Sequence, residues 1–355
     1  MHSTLEQSEL NAKIGRLFMA GIPGTRLDEG TEALIREYCL GGVILFARNI
    51  EDPLQLAALC NDLQERAMRY HGTRLFLAID QEGGRVARLK SPFTGFPGNT
   101  AIGRNPRPVD KAIEYARITA QEMTLVGLNM NLAPVVDVPG RKPEKHLEGR
   151  TFCNDPDMVA RLGRTVIRVL QRNGIMAVAK HFPGLGRTSL DPHHHLPVIE
   201  MDAKEIEEIN LIPFKAAIAE RVSAFMTSHA IYPALDPDKP STLSEKILTG
   251  LLRKALGFQG LLITDDLEMG AIRDKWGVAE GAVASFEAGA DILLICEDQN
   301  MVLEGIRTLR KKLLQNNVTF QRLDQSLERI RKAKSGFLKN TKEVSLEKVG
   351  AYFGL

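Results

Sequence analysis

Cysteine is scarce and scattered. Cys39, Cys60, Cys153 and Cys296 are the only four in 355 residues, and none lies at the spacing of a metal site or a disulfide framework. Cys60 falls on an apolar helical stripe and Cys296 follows the apolar run 292–295, so reduced, buried thiols are expected. An excess of one charge is also lacking. The 46 basic and 44 acidic residues leave a formal charge of +2, which offers little to nucleic acid or an anionic membrane. No apolar run is long enough to span a bilayer. The first nine residues are polar and acidic, without the basic start and apolar core of a secretion signal, so the cytoplasm is the expected location. Linkers, repeats and low-complexity segments are missing too. The expectation is one domain over 1–340, with 341–355 as a C-terminal tail packed on it.

What is present is alternation. Short apolar runs at 15–20, 42–46, 75–79, 129–136, 175–180, 224–228, 260–264 and 291–295 are too short for helices. They are apolar on both faces, as strands of a parallel sheet covered on both sides must be. Helical patterns separate them. Asp52, Pro53 and Gln55 form a helix start, followed by Leu56, Leu59, Cys60 and Leu63 at helical spacing. Ser244 can cap a helix carrying Ile247, Leu251 and Ala255, which stops at Gly257. Eight strands with intervening helices predict an α/β fold, a (β/α)8 TIM barrel. The alternative is a doubly wound open sheet, which ordinarily carries a glycine-rich phosphate loop after its first strand; none is found here.

A barrel of this kind places its chemistry on the loops after the strands' C-terminal ends. Those ends carry Asp80 with Arg85 and Arg88, Asp137 leading towards Arg150, Lys180-His181, Ser228-His229 and Asp265-Asp266. Cations and carboxylates converge on one rim. The alternative is that each only pairs with a neighbour, and Asp265-Asp266 could simply start a helix over 267–272. Adjacent carboxylates repel, so one is expected to be held ionised by a nearby cation. The loop 180–197 is densest, with a lysine, four histidines, an aspartate and three prolines. His193, His194 and His195 resemble a metal cluster, but adjacent residues on a proline-flanked loop rarely all point one way. No metal or cofactor is expected, and His194 and His195 are read as bystanders.

As a set, these residues resemble the bacterial β-N-acetylhexosaminidases of glycoside hydrolase family 3. Lys180-His181-Phe182-Pro183-Gly184-x-Gly186, then Asp191-x-His193 and Pro197, is similar to that family's signature loop. Asp80-Gln81-Glu82-Gly83-Gly84-Arg85-Val86-x-Arg88-Leu89 resembles its sugar-binding loop. The segments from Gly127 to Val138 and from Gly149 to Pro156 resemble its middle blocks, and Ile263-Thr264-Asp265-Asp266-Leu267-x-Met269 its nucleophile block. The blocks run in family order over most of the chain. The resemblance implies a single barrel in which Asp265 is the nucleophile and His193 the general acid/base, oriented by Asp191. It implies that Asp80, Arg88, Arg150, Lys180 and His181 hold the sugar.

It further implies a retaining, exo-acting β-N-acetylglucosaminidase, favoured as a monomer. Its small-molecule substrate would be GlcNAc linked to anhydro-N-acetylmuramic acid, with or without peptide, from cell-wall recycling. A histidine suits the acid/base role because its ordinary pKa of about 6.5 lies near working pH. Two positions depart from the family pattern. Leu185 stands where His is usual, removing a polar contact, and Pro192 where Ser is usual, stiffening the Asp–His step. The rivals are a β-N-acetylglucosaminide phosphorylase or another family 3 β-glycosidase, a metal-dependent barrel hydrolase, and a sugar-binding protein without turnover.

Overall fold

In the computed structural model, residues 2–140, 145–188, 190–315, 318–339 and 341–355 are described, the side chains of 2–6 excepted. Met1 and Ser189, which belong to segments discussed above, lie outside them. The eight expected strands are β1 (Phe18–Gly21), β2 (Gly42–Leu45), β3 (Phe76–Ile79), β4 (Met130–Asn131), β5 (Met176–Phe182), β6 (Ala224–Thr227), β7 (Leu261–Ile263) and β8 (Leu293–Ile295). All neighbours run parallel, in the order β7-β6-β5-β4-β3-β2-β1-β8. A bridge between Ile263 and Ile292 joins β7 to β8 and closes the ring. The result is the expected (β/α)8 barrel. Its strands are buried along their whole length, as their unbroken apolar character requires.

Two strands differ from their expected bounds for identifiable reasons. β4 stops at Asn131, well short of residue 136. Pro134 has no N–H to give to a ladder, and pairing resumes only at Val135 opposite Lys180. β5 runs on to Phe182, two residues beyond expectation, so His181 sits on the strand beside Lys180 and not in the loop.

The helical expectations hold where capping chemistry was visible. Asp52 accepts the Gln55 N–H at 2.8 Å, with Pro53 opening the helix Pro53–His71. The Ser244 hydroxyl accepts the Ile247 N–H at 3.2 Å at the start of the helix Lys246–Ala255. The helix expected at 267–272 instead begins at Gly270, leaving 265–269 as a loop.

At the barrel's opposite end, Asp291 is fully buried among Arg253 (2.6 Å), Arg329 (3.1 Å) and Arg322 (3.6 Å). The last two lie on the helix Phe320–Phe337, which this cluster fixes to the base of β8. Residues beyond it include a short helix, Leu346–Phe353, whose Phe353 ring packs 4.7 Å from that of Phe93. No helix among the described residues is long and apolar enough to cross a membrane.

Candidate active site

A cavity of about 690 Å³ opens at the C-terminal mouth of the barrel, within the range of small-molecule sites. Its floor is an ionic lattice. Lys180 Nζ lies 2.7 Å from Asp80 Oδ1 and 2.8 Å from Glu82 Oε1. Arg150 meets Glu82 in a two-pronged pair, 2.9 Å at each contact. Burial alone would push the Glu82 carboxyl up, but Lys180 and Arg150 outweigh it and hold the group well below the carboxylate range. Burial likewise opposes the charge on Lys180, and Asp80 and Glu82 reverse the effect, so the ammonium titrates above its ordinary value.

Asp80 and Glu82 can share one lysine because the segment after β3 forms a hairpin, Gln81–Gly83 against Val86–Ala87. Extended backbone puts alternate residues on one side. The Gln81 amide oxygen accepts the N–H groups of Arg88 (2.9 Å) and Leu89 (3.0 Å). This folds Arg88 back to within 3.4 Å of Asp80, over the Phe46 ring.

His181 is oriented by a second carboxylate. Its Nδ1 lies 2.7 Å from Asp137 Oδ2, while Asp137 Oδ1 accepts the backbone N–H of His181 (3.2 Å) and of Leu185 (2.7 Å). Nε2 is then the ring's remaining polar atom, on a side chain that lines the cavity.

Asp265 and Asp266 leave β7 side by side and part in character. For Asp265, burial raises the pKa but the charges of His181, His229 and Lys180 outweigh it, and the carboxyl is held below its ordinary value. Its Oδ1 also accepts the Asp266 N–H at 2.9 Å. For Asp266, burial, with Glu268 and Asp265 adding repulsion, pushes the carboxyl up to about 7. One is held as an anion and the other is pushed towards neutrality, the split expected of adjacent carboxyls in different environments. Glu268 then pins the loop. Its carboxylate accepts the N–H groups of Cys296 (2.8 Å), Glu297 (2.6 Å) and Asp298 (3.0 Å) beyond β8.

The acid/base candidates sit higher. His193 Nδ1 is 2.6 Å from Asp191 Oδ1, and the same oxygen accepts the His193 N–H at 3.0 Å. With 56% of the His193 side chain exposed, the pair is on the rim and not on the floor. Burial opposes ionisation of Asp191, but hydrogen bonds and charge from His193 prevail and lower its pKa. The loop is tethered from two sides. The carbonyls of Pro192 and His193 accept N–H groups from Ala271 (3.3 Å) and Gly270 (3.0 Å). Gly186 lies so close to Val138 that a Cβ there would fall 2.1 Å from its carbonyl oxygen. Leu185 is buried on the cavity wall, so the departure that removes a polar side chain inserts an apolar one into packed surroundings.

All eight residues singled out from sequence — Asp265, His193, Asp191, Asp80, Arg88, Arg150, Lys180 and His181 — line this one cavity. His194 and His195 do not, and both are exposed. Among the described residues no group of His, Cys, Asp and Glu is arranged to hold a metal ion. Glu82, Asp137, Asp266, Glu268, His229 and His146 were not assigned roles from sequence. For Glu82 a signal existed, its two-residue spacing from Asp80. His229 bonds to the Asp266 carbonyl (2.9 Å) and Thr242 (2.7 Å), which position it below the carboxylates.

Comparison with known proteins places the chain in a family. The family model for the glycosyl hydrolase family 3 N-terminal domain matches residues 9–333. The chain is 35% identical to β-hexosaminidase A of Pseudoalteromonas piscicida, over 88% of this chain but only 56% of that enzyme. It is 37% identical to a β-hexosaminidase of Pseudomonas aeruginosa, over 79% of this chain and 82% of the relative. Among solved structures, the family 3 β-N-acetylglucosaminidase from a Paenibacillus species superposes with a TM-score of 0.90 at 38% identity, covering 92% of this chain and 62% of that one. NagZ from Neisseria gonorrhoeae gives 0.79 at 30% identity, covering 96% and 93%.

Proposed function

The chain belongs to glycosyl hydrolase family 3, and we propose that it is a retaining exo-β-N-acetylglucosaminidase working through a covalent glycosyl-enzyme. The observation that carries this reading is the separation of duties within one cavity. An anionic Asp265 lies at the strand end, and an aspartate-backed imidazole, His193, stands at the rim. Retaining hydrolysis needs that pairing of a nucleophile with a proton donor.

In this scheme the terminal sugar rests on the lattice of Asp80, Arg88, Arg150, Lys180 and His181. The Asp265 carboxylate attacks the anomeric carbon. The bond to the leaving oxygen breaks, and protonated His193 gives that oxygen its proton. Asp191 keeps Nδ1 protonated, so Nε2 is the nitrogen that donates. Neutral His193 then takes a proton from water, whose oxygen displaces Asp265 and frees the sugar with its original configuration. The names of the relatives support GlcNAc as that sugar, and the substrate we propose is GlcNAc–anhydro-N-acetylmuramic acid with or without peptide, released in cell-wall turnover.

Trapping with a 5-fluoro GlcNAc donor, followed by peptide mapping, tests the scheme. Label on Asp265 is the expected result, and label elsewhere overturns it. A second reading, transfer to phosphate, draws on the exposed position of His193, a base that does not itself repel an incoming anion. Product analysis in phosphate buffer separates the two. Free GlcNAc is expected, and a sugar 1-phosphate would establish phosphorolysis.

A further inference from the structure

His146 has no part in the chemistry above, yet it lines the cavity while only 7% exposed. Neither of its ring nitrogens has a hydrogen-bond partner among the described residues. A neutral imidazole carries one donor and one acceptor nitrogen, and a buried polar group left without either calls for an explanation. Charging the ring is no escape. Burial drives its pKa down to about 4, aided by the positive charge of His181, Arg150 and His193 and opposed by Asp191, so at neutral pH the ring is uncharged.

The backbone under it is fixed. The His146 carbonyl accepts Arg150 Nη1 at 3.1 Å, and Leu147 beside it is fully buried. Both ring nitrogens are turned away from the cavity space as the ring stands, and the wells of a histidine's terminal torsion are broad and roughly two-fold, so the contact proposed below requires the ring to turn. A half-turn exchanges its carbon and nitrogen edges and so can bring a nitrogen to the cavity side. Arg150, on the floor proposed to hold the first sugar, is bonded to the His146 carbonyl, and His146 shares the cavity wall with Asp191 and His193, the pair proposed to face the leaving oxygen. A glycoside bound with its scissile oxygen at His193 would bring its leaving sugar to this part of the wall. A sugar hydroxyl is donor and acceptor in one atom, which is what a neutral imidazole lacks.

We propose that His146 is a substrate contact on the leaving-group side of the cavity, selecting aglycones that offer a hydroxyl to its ring. The proposal rests on the glycosidase reading, and its test keeps the two apart. Wild-type chain, His146→Phe and His146→Gln are compared on an aryl β-GlcNAc and on the disaccharide GlcNAc-β-1,4-GlcNAc. The phenyl variant should lose about tenfold in kcat/KM on the disaccharide, mainly through KM, and retain aryl turnover within about twofold. The glutamine variant keeps a donor and an acceptor and should recover most of the loss. Equal losses on both substrates, or no loss on the disaccharide, would overturn the proposal. Absence of turnover by the wild-type chain on either substrate would sink the glycosidase reading, and this inference with it.

Discussion

The carbonyl oxygen of His193 accepts the backbone N–H of Gly270 at 3.0 Å, so the loop that carries His193 is held by the segment that follows Asp265. In the proposed mechanism these are the two reacting groups, and this bond sets them relative to one another through one short path of backbone. A Cβ on Gly270 would stand 3.0 Å from that same oxygen. Gly270→Ala should therefore displace the loop by a few tenths of an ångström and lower kcat by roughly tenfold, since misplacement of reacting groups is costly. Thermal stability should barely change. Steady-state kinetics beside a melting curve would decide, and unchanged kcat would rule out the tether as a positioning device.

His193 is expected to matter in proportion to the difficulty of the departing group. His193→Ala should slow hydrolysis of an alkyl or sugar glycoside by about 100-fold or more, the ordinary worth of a general acid. Dinitrophenyl glycosides, which need no proton to leave, should form the glycosyl-enzyme at near wild-type rate. A uniform loss across a leaving-group series would remove His193 from this role.

Glu82 is buried between two cations, Lys180 and Arg150, at 2.8–2.9 Å. Glu82→Gln leaves those cations with Asp80 as the nearest anion. Removing one partner of a buried ion pair costs roughly 3–5 kcal/mol, so urea unfolding should show a loss of that order, and KM should rise as the lattice loosens. A variant as stable as the wild type would mean that the lattice is dispensable to the fold.

Asp266 makes a pH prediction with a definite sign. Its carboxyl titrates near 7 in the fold against an ordinary value of 3.8. The folded chain keeps a proton in that interval that the unfolded chain gives up. The associated stability is complete below pH 3.8 and is lost as pH rises through about 7. Asp266→Asn is neutral throughout and should flatten this part of the curve of melting temperature against pH. An identical slope in both proteins would refute the assignment.

The barrel was legible because its strands are short, apolar on both faces and separated by helices with visible caps. The strand ends could be read as a rim for the same reason. What escaped was set by contacts between distant segments. β4 ends early at a proline that can give no N–H to a ladder, and where pairing resumes, at Val135 opposite Lys180, is set by a strand 45 residues on. Asp137 stood at a strand end in the sequence, but its task of holding His181 depends on a partner 44 residues away. His146 carried no local signal, since being without a partner is a property of the assembled cavity.

Most neighbouring strands in the ring are joined by ladders of several residue pairs, but β7 and β8 meet in register only at Ile263 and Ile292. Backbone bonds such as Thr264 N–H to the Ile292 carbonyl (3.0 Å) and Leu267 N–H to the Leu294 carbonyl (3.0 Å) cross there, and side chains add to them. Thr264 Oγ1 accepts the Leu294 N–H at 2.9 Å, and the three amides gathered by Glu268 lie just beyond. This closing seam is also where Asp265 is mounted. Glu268 therefore ties the loop after β7 to the segment after β8, and loosening it would disturb the seam beside the carboxylate proposed as nucleophile. At this joint the endurance of the fold and the accuracy of the proposed chemistry would draw on the same few bonds.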